Sequence, residues 1–154
     1  MTKRVRVMCA IHEGSIGTNK IKQLESVIAS TYQAHFGANH KLTFVWMTIP
    51  DGQAYLAAQP SNASTLQVPV KDGLPAKERH AFMSEICAKW MHIVGCSKDE
   101  IILVAADFIE FEAFSNVMVN RIDKKSRKKT LAKMFFNMLK GKLSKGYLTT
   151  SINL

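Results

Sequence analysis

Acidic residues nearly vanish from the end of this chain. Residues 121–154 hold ten Lys and Arg against Asp123 alone, whereas residues 1–120 hold eleven of each sign. The formal net charge of +9 therefore sits entirely in the C-terminal segment. Cysteine is scarce too: Cys9, Cys87 and Cys96 fall in no C-x-x-C or other metal-binding spacing. That excludes a thiolate metal centre and leaves buried, reduced thiols of a cytoplasmic protein as the simplest account. His12, His35, His40, His80 and His92 form no ligand triplet on one face, so neither a metal nor a cofactor is expected. The longest apolar run, residues 101–106, is far too short to span a bilayer, and no signal-peptide pattern opens the sequence. No aromatic stacking ladder or base-reading module accompanies the positive charge, which makes nucleic acid the least favoured partner.

What is present is a globular composition. With 47% apolar and 21% charged residues over 154 positions, one domain is expected, large enough to bury about two-thirds of its extended surface. Val5, Val7, Cys9 and Ile11 alternate with other residues as a first strand, stopped by Glu13-Gly14-Ser15. A helix capped by Thr18 or Asn19 carries Ile21, Leu24, Val27, Ile28 and Tyr32 at helical period and ends at Gly37. Residues 42–47 are a second strand, closed by Pro50-Asp51-Gly52; residues 54–57 fit a short extra strand and 59–64 a polar loop.

The plan then repeats. Residues 65–70 read as a strand, 76–94 as a helix with Phe82, Ile86, Trp90 and Ile93 on one stripe, and 100–105 as another strand. Both helices close on glycine, Gly37 and Gly95, a few residues before an apolar strand. The pattern predicts an α+β fold of tandem β-α-β units: a four-stranded sheet with two helices on one face. Strands 42–47 and 101–106 are apolar at nearly every position, as strands are when both faces are covered. Two helices cover only one face, so a second copy of the chain is the economical cover for the other.

The joint Lys71-Asp72-Gly73-Leu74-Pro75 organises the second unit. It sets a lysine at a strand end just ahead of a helix whose start Pro75 fixes in its first turn. Free N–H groups and the helix dipole favour anions at such places, although spacing alone is better matched by an ordinary β-to-α turn with a solvated lysine. Glu110 and Glu112 look like a carboxylate pair, but the polar/apolar alternation of residues 108–114 explains them equally well. In the last segment a basic run, residues 121–129, precedes Leu131, Met134, Phe135, Met138, Leu139 and Leu143 at helical spacing, with lysines among them. Such a basic amphipathic helix suits an anionic membrane, an acidic groove such as that of calmodulin, or nucleic-acid phosphates; it equally suits a neighbouring subunit. Residues 1–120 thus form the main unit, and 121–154 are an extension belonging to it or docked on a neighbour.

This order of segments resembles the tautomerase superfamily, and within it the group typified by cis-chloroacrylic acid dehalogenase and its fungal relatives. The likeness rests on Glu13-Gly14-Ser15-Ile16, the stretch 37–45, Tyr55-Leu56-Ala57-Ala58, the Lys71-Asp72-Gly73 joint and residues 97–106, over about residues 5–108. It implies a homotrimer with uncovered sheet faces turned inward. It also implies a catalytic N-terminal proline whose amine shuttles a proton in an apolar pocket. Anchored on Gly14 and Gly37, that proline's place falls on Val5, which offers no titratable amine. The two substrate-gripping arginines fall on Lys71, which keeps the charge, and on Leu74. The first-helix histidine falls on Tyr32, with His35 one turn further on; the last-strand tyrosine falls on Val104. The water-activating glutamate falls near Ser115, close to Glu110 and Glu112. The resemblance therefore implies a small-carboxylate binder silent in proline-dependent chemistry. A residual isomerase or hydratase using Lys71 with one of the glutamates is the alternative, and a binding module working through the basic segment is another.

Overall fold

The computed structural model describes residues 1–152, so positions 153–154 of the C-terminal extension lie outside the described residues. Strand β1 (Lys3–His12) runs into helix α1 (Thr18–Phe36) and strand β2 (His40–Ile49); after a two-stranded hairpin, β3 (Tyr55–Leu56) and β4 (Gln59–Pro60), come β5 (Ser64–Val70), α2 (Ala76–Val94) and β6 (Ile101–Asp107). The chain continues through α3 (Phe108–Asn120), α4 (Arg127–Lys145) and β7 (Thr149–Ser151). The main sheet has the order β6-β5-β1-β2-β7. Each β-α-β unit pairs its own strands in parallel, β1 with β2 and β5 with β6, while the units meet through the antiparallel β1–β5 contact.

Alternation along β1 puts Val5, Val7, Cys9 and Ile11 on the face that α1 and α2 cover. There they join Ile21, Leu24, Ile28 and Tyr32 of α1 and Phe82, Ile86 and Trp90 of α2 in one core, with Trp46 wholly buried beside Trp90. Side chains of this size stabilise by about 1.5–3 kcal/mol each on full burial.

The sheet has five strands where the sequence pattern predicts four. β7 adds parallel to β2 at Trp46–Thr149, and Tyr147 enters the core with its ring centroid 6.4 Å from that of Trp46. Three polar residues are too short and too hydroxyl-rich to register as a strand by period. Nor are helices confined to one face. Residues 108–114 alternate in sequence but fold as the start of α3, which turns Phe111 inward beneath Arg6 on the second face of the sheet. Phe108, Phe111, Ser115 and Val119 supply the helical spacing that the shorter alternation hides. Two caps also differ from expectation: Gly17, not Thr18 or Asn19, is the N-cap of α1, and Pro75 is the N-cap of α2, outside its first turn. Residues 55–60 form a hairpin, not a strand and loop, with Ala57 and Ala58 both at positive φ, as a primed two-residue turn requires. Cys9 is buried as expected, but Cys87 and Cys96 are only half-buried.

Candidate functional site

A cleft of about 710 Å³ opens where the start of β1, the end of α1 and the β5–α2 joint meet. Lys3, Tyr32, His35 and His40 line one side, Lys71, Leu74 and Glu78 the other, and Phe36 and Phe108 give it apolar wall. Lys71 leaves β5 at the cleft because the joint is held rigidly from outside. Gly73, at φ 69°, donates its N–H to Asp107 Oδ2 at 3.1 Å, and Asp72 Oδ1 accepts the N–H of Ile109 at 3.0 Å, satisfying one orphan donor of α3. Arg79 clamps the same corner: it donates to Asp107 Oδ1 at 2.5 Å, to the Leu74 carbonyl at 3.2 Å and to the Ala105 carbonyl. The Arg79 guanidinium, aided by the Gly73 N–H, holds the Asp107 carboxyl below its ordinary range. Both joint aspartates are thus turned to structural donors, while Lys71 borders the cleft.

The opposite wall is also fixed. Tyr32 donates its hydroxyl proton to the Pro69 carbonyl at 3.0 Å, and burial pushes its pKa up to about 12. Its ring meets Phe36, His40 and Phe82 edge-on. His35 Nε2 lies 2.7 Å from Glu85 Oε2, and Lys89 and His35 together hold that carboxyl below its ordinary range. His40 Nδ1 donates to the Gly37 carbonyl at 2.9 Å. Lys3 Nζ sits 3.5 Å from the centroid of the Phe108 ring, a cation over an aromatic face at the mouth of the cleft.

No family model matches the sequence, and no curated protein matches it. Solved structures do. The crystal structure of native Ps01740 superposes with a TM-score of 0.62 at 19% identity, covering 67% of this chain and 93% of its own. N1, a member of the cis-3-chloroacrylic acid dehalogenase (cis-CaaD) family, gives 0.62 at 9% identity, covering 67% and 74%. Native fused 4-OT gives 0.57 at 10% identity, covering 67% and 86%. This chain shares their fold, a tautomerase-like one.

Within that fold, the residues singled out from sequence part company. Lys71, Tyr32, His35 and Leu74 line one cleft. Val5 does not: it is the third residue of β1, 1% exposed, with its side chain in the core. Val104 is 40% exposed on the second face, and Ser115 accepts a hydrogen bond from Arg6 at 3.4 Å. Glu110 and Glu112 are exposed on α3 and are not among the residues lining the cleft. The carboxylates that do line it are Asp72, already engaged by the Ile109 N–H, and Glu78, in the first turn of α2. Sequence reasoning also missed Lys3 and His40, although parallel pairing sets them side by side and Lys3 shares the parity of Val5. Among the described residues no group of three or more His, Cys, Asp or Glu could hold a metal ion. Burial pushes the Cys9 thiol well up, away from the thiolate a nucleophile needs.

Proposed function

We propose that this protein binds a small carboxylate at Lys71 and does not perform the proline-dependent chemistry that the superfamily resemblance implies. The observation that carries the reading is the pairing of a cation-bearing cleft with a Val5 that is closed into the core. Lys71 and Lys3 border the cavity; Val5, whose amide nitrogen could not titrate, lies outside it. A lysine–carboxylate hydrogen bond of this kind is worth about 1.5–3 kcal/mol. Phe36, Leu74 and Phe108 suit a ligand with a short apolar body. Assays of phenylenolpyruvate ketonisation and 3-haloacrylate hydration test the silent half of the proposal. No turnover above buffer is expected, and turnover by clean protein would overturn it.

A residual isomerase or hydratase is the competing reading. It finds less support, because Glu110 and Glu112 stand away from the cleft and only Glu78 brings a carboxylate to its wall beyond the structurally engaged Asp72. If turnover were found and Glu78→Gln abolished it while Glu110→Gln and Glu112→Gln did not, that reading would stand with Glu78 in the acid–base place.

The assembly is proposed to be a homotrimer in the cytoplasm. A fused 4-OT neighbour is a symmetric trimer, and here Ile102 and Val104 of β6 leave apolar surface on the second face of the sheet. The basic segment 121–145 is proposed to face an anionic partner. Sedimentation equilibrium of the full chain at three times the monomer mass is the expected result for the assembly.

A further inference from the structure

Helix α4 presents two different apolar surfaces. Met134, Met138 and Gly141 turn inward and are half-buried, with Gly141 so close to β7 that a Cβ there would lie 2.7 Å from the Thr149 carbonyl oxygen. Leu131, Phe135, Phe136, Leu139 and Leu143 turn away, at 36%, 60%, 67%, 41% and 89% exposure. At 3.6 residues per turn these five share an outward arc of roughly 140°. Lys133 and Lys140 flank it on one side and Lys145 on the other, while Lys142 projects within it near its edge, all exposed. The single stripe suggested by sequence spacing is therefore split, and its larger half has no cover among the described residues.

We propose that this outward arc of α4 docks the protein on an anionic lipid surface, lying in the interface plane with its aromatic and leucine side chains among the acyl chains. The inference rests on the reading of the basic segment as the face for an anionic partner, and it names that partner as lipid. Charge decides the occupant. Residues 121–145 carry ten cations against Asp123, and Lys142 projects within the apolar arc itself. Lysine is depleted from the cores of protein–protein contacts, but its long stem lets it sit beside acyl chains with the ammonium among phosphates. A self-complementary contact between two copies would set this charge against itself. No helix of the described residues is long and apolar enough to cross a membrane, which leaves the in-plane mode.

The test uses the full chain with sedimented vesicles of phosphatidylcholine, alone or mixed with phosphatidylserine. Retention is expected only on the mixed vesicles and should weaken as salt rises. F135S/F136S should lower it at least about tenfold, and neutralising Lys133 and Lys140 (K133Q/K140Q) should lower it about fivefold per lysine. These side chains are exposed, so the fluorescence of the buried Trp46 and Trp90 should report an unchanged core; if one variant misfolds, the other still decides. Parent and variants retained equally would overturn the proposal. So would a solution mass that changes in F135S/F136S without any vesicle binding, because the arc would then belong to a second copy. Capture by calcium-loaded calmodulin without vesicle binding would overturn the lipid assignment alone, and retention by neither would overturn the anionic-partner reading as well.

Discussion

The two β-to-α joints of this fold are built alike and used differently. Each follows directly on its strand, carries a positive-φ glycine, Gly14 or Gly73, and leads into a helix of 19 residues that ends at a positive-φ glycine. At the first joint the residue after the strand is Glu13, whose N–H is tied to the Ile49 carbonyl at 2.9 Å. This residue is exposed and borders a smaller, shallower groove of about 310 Å³ that α4 and β7 line with Lys140, Gly141, Ser144 and Thr149. At the second joint the corresponding residue is Lys71, and the cleft beside it is larger and more enclosed. One joint thus sets a carboxylate beside the shallow edge of the C-terminal segment, and the other sets a cation beside a deeper cavity. Duplicated geometry alone does not make a site; charge and enclosure do.

Reversing the charge should break the contrast most strongly. Lys71→Glu is expected to weaken binding of a small carboxylate by about tenfold to a hundredfold, the range of one charged hydrogen bond. Glu13→Lys should create no comparable binding, since its groove is shallow and leaves a ligand in solvent. Calorimetric titration of both variants checks this.

The seat of α4 on β7 can itself be disturbed. In Gly141→Ala the new Cβ would stand 2.6 Å from Thr149 Cγ2 and 2.7 Å from its carbonyl oxygen. A stability loss of about 1–3 kcal/mol is expected, with faster proteolysis beyond residue 120 and an unchanged Lys71 cleft. Gly146→Ala would meet only the flexible end of Lys22, and should cost about 1 kcal/mol through its positive φ.

Acid should loosen the second joint. Asp107 is held below its ordinary carboxyl range by Arg79 and the Gly73 N–H, so its contribution is fully present above the unfolded value of about 3.9 and is lost as pH falls through the lower native value. Thermal unfolding followed from pH 6 to about pH 2 should therefore slope less steeply in Asp107→Asn than in the parent.

The smallest effect lies between the two halves. Ala57 and Ala58 occupy positive φ, 51° and 61°, where a Cβ is strained. Ala58→Gly should stabilise by about 0.5–1 kcal/mol, whereas Gly14→Ala, at φ 74°, should destabilise by a similar amount. Melting temperatures of the two variants decide it.

The repeat was legible because its signals are periodic. Helix α2 has the predicted bounds, since Phe82, Ile86, Trp90 and Ile93 mark a stripe and Gly95 a stop. The Lys71 joint was legible as a lysine ahead of a helix, but the bonds that hold it in place were not. Asp107 and Arg79 reach it from distant positions, and no spacing rule pairs them with Gly73. Lys3 escaped notice because a cation at a strand start looks like a solvated end until the parallel partner, His40, is placed beside it. The fifth strand escaped because three residues carry no period, and α3 because Phe111 faces a sheet surface that a two-helix plan leaves to a neighbour.

The central claim is that the cleft beside Lys71 holds a small carboxylate. Titration of isotope-labelled full-length protein with acrylate, followed by backbone-amide NMR, tests it most directly. The account predicts saturable shifts at Gly73, Leu74 and Phe108 that disappear in Lys71→Ala. Shifts that persist in Lys71→Ala, or that map to the groove beside Glu13 instead, would contradict it.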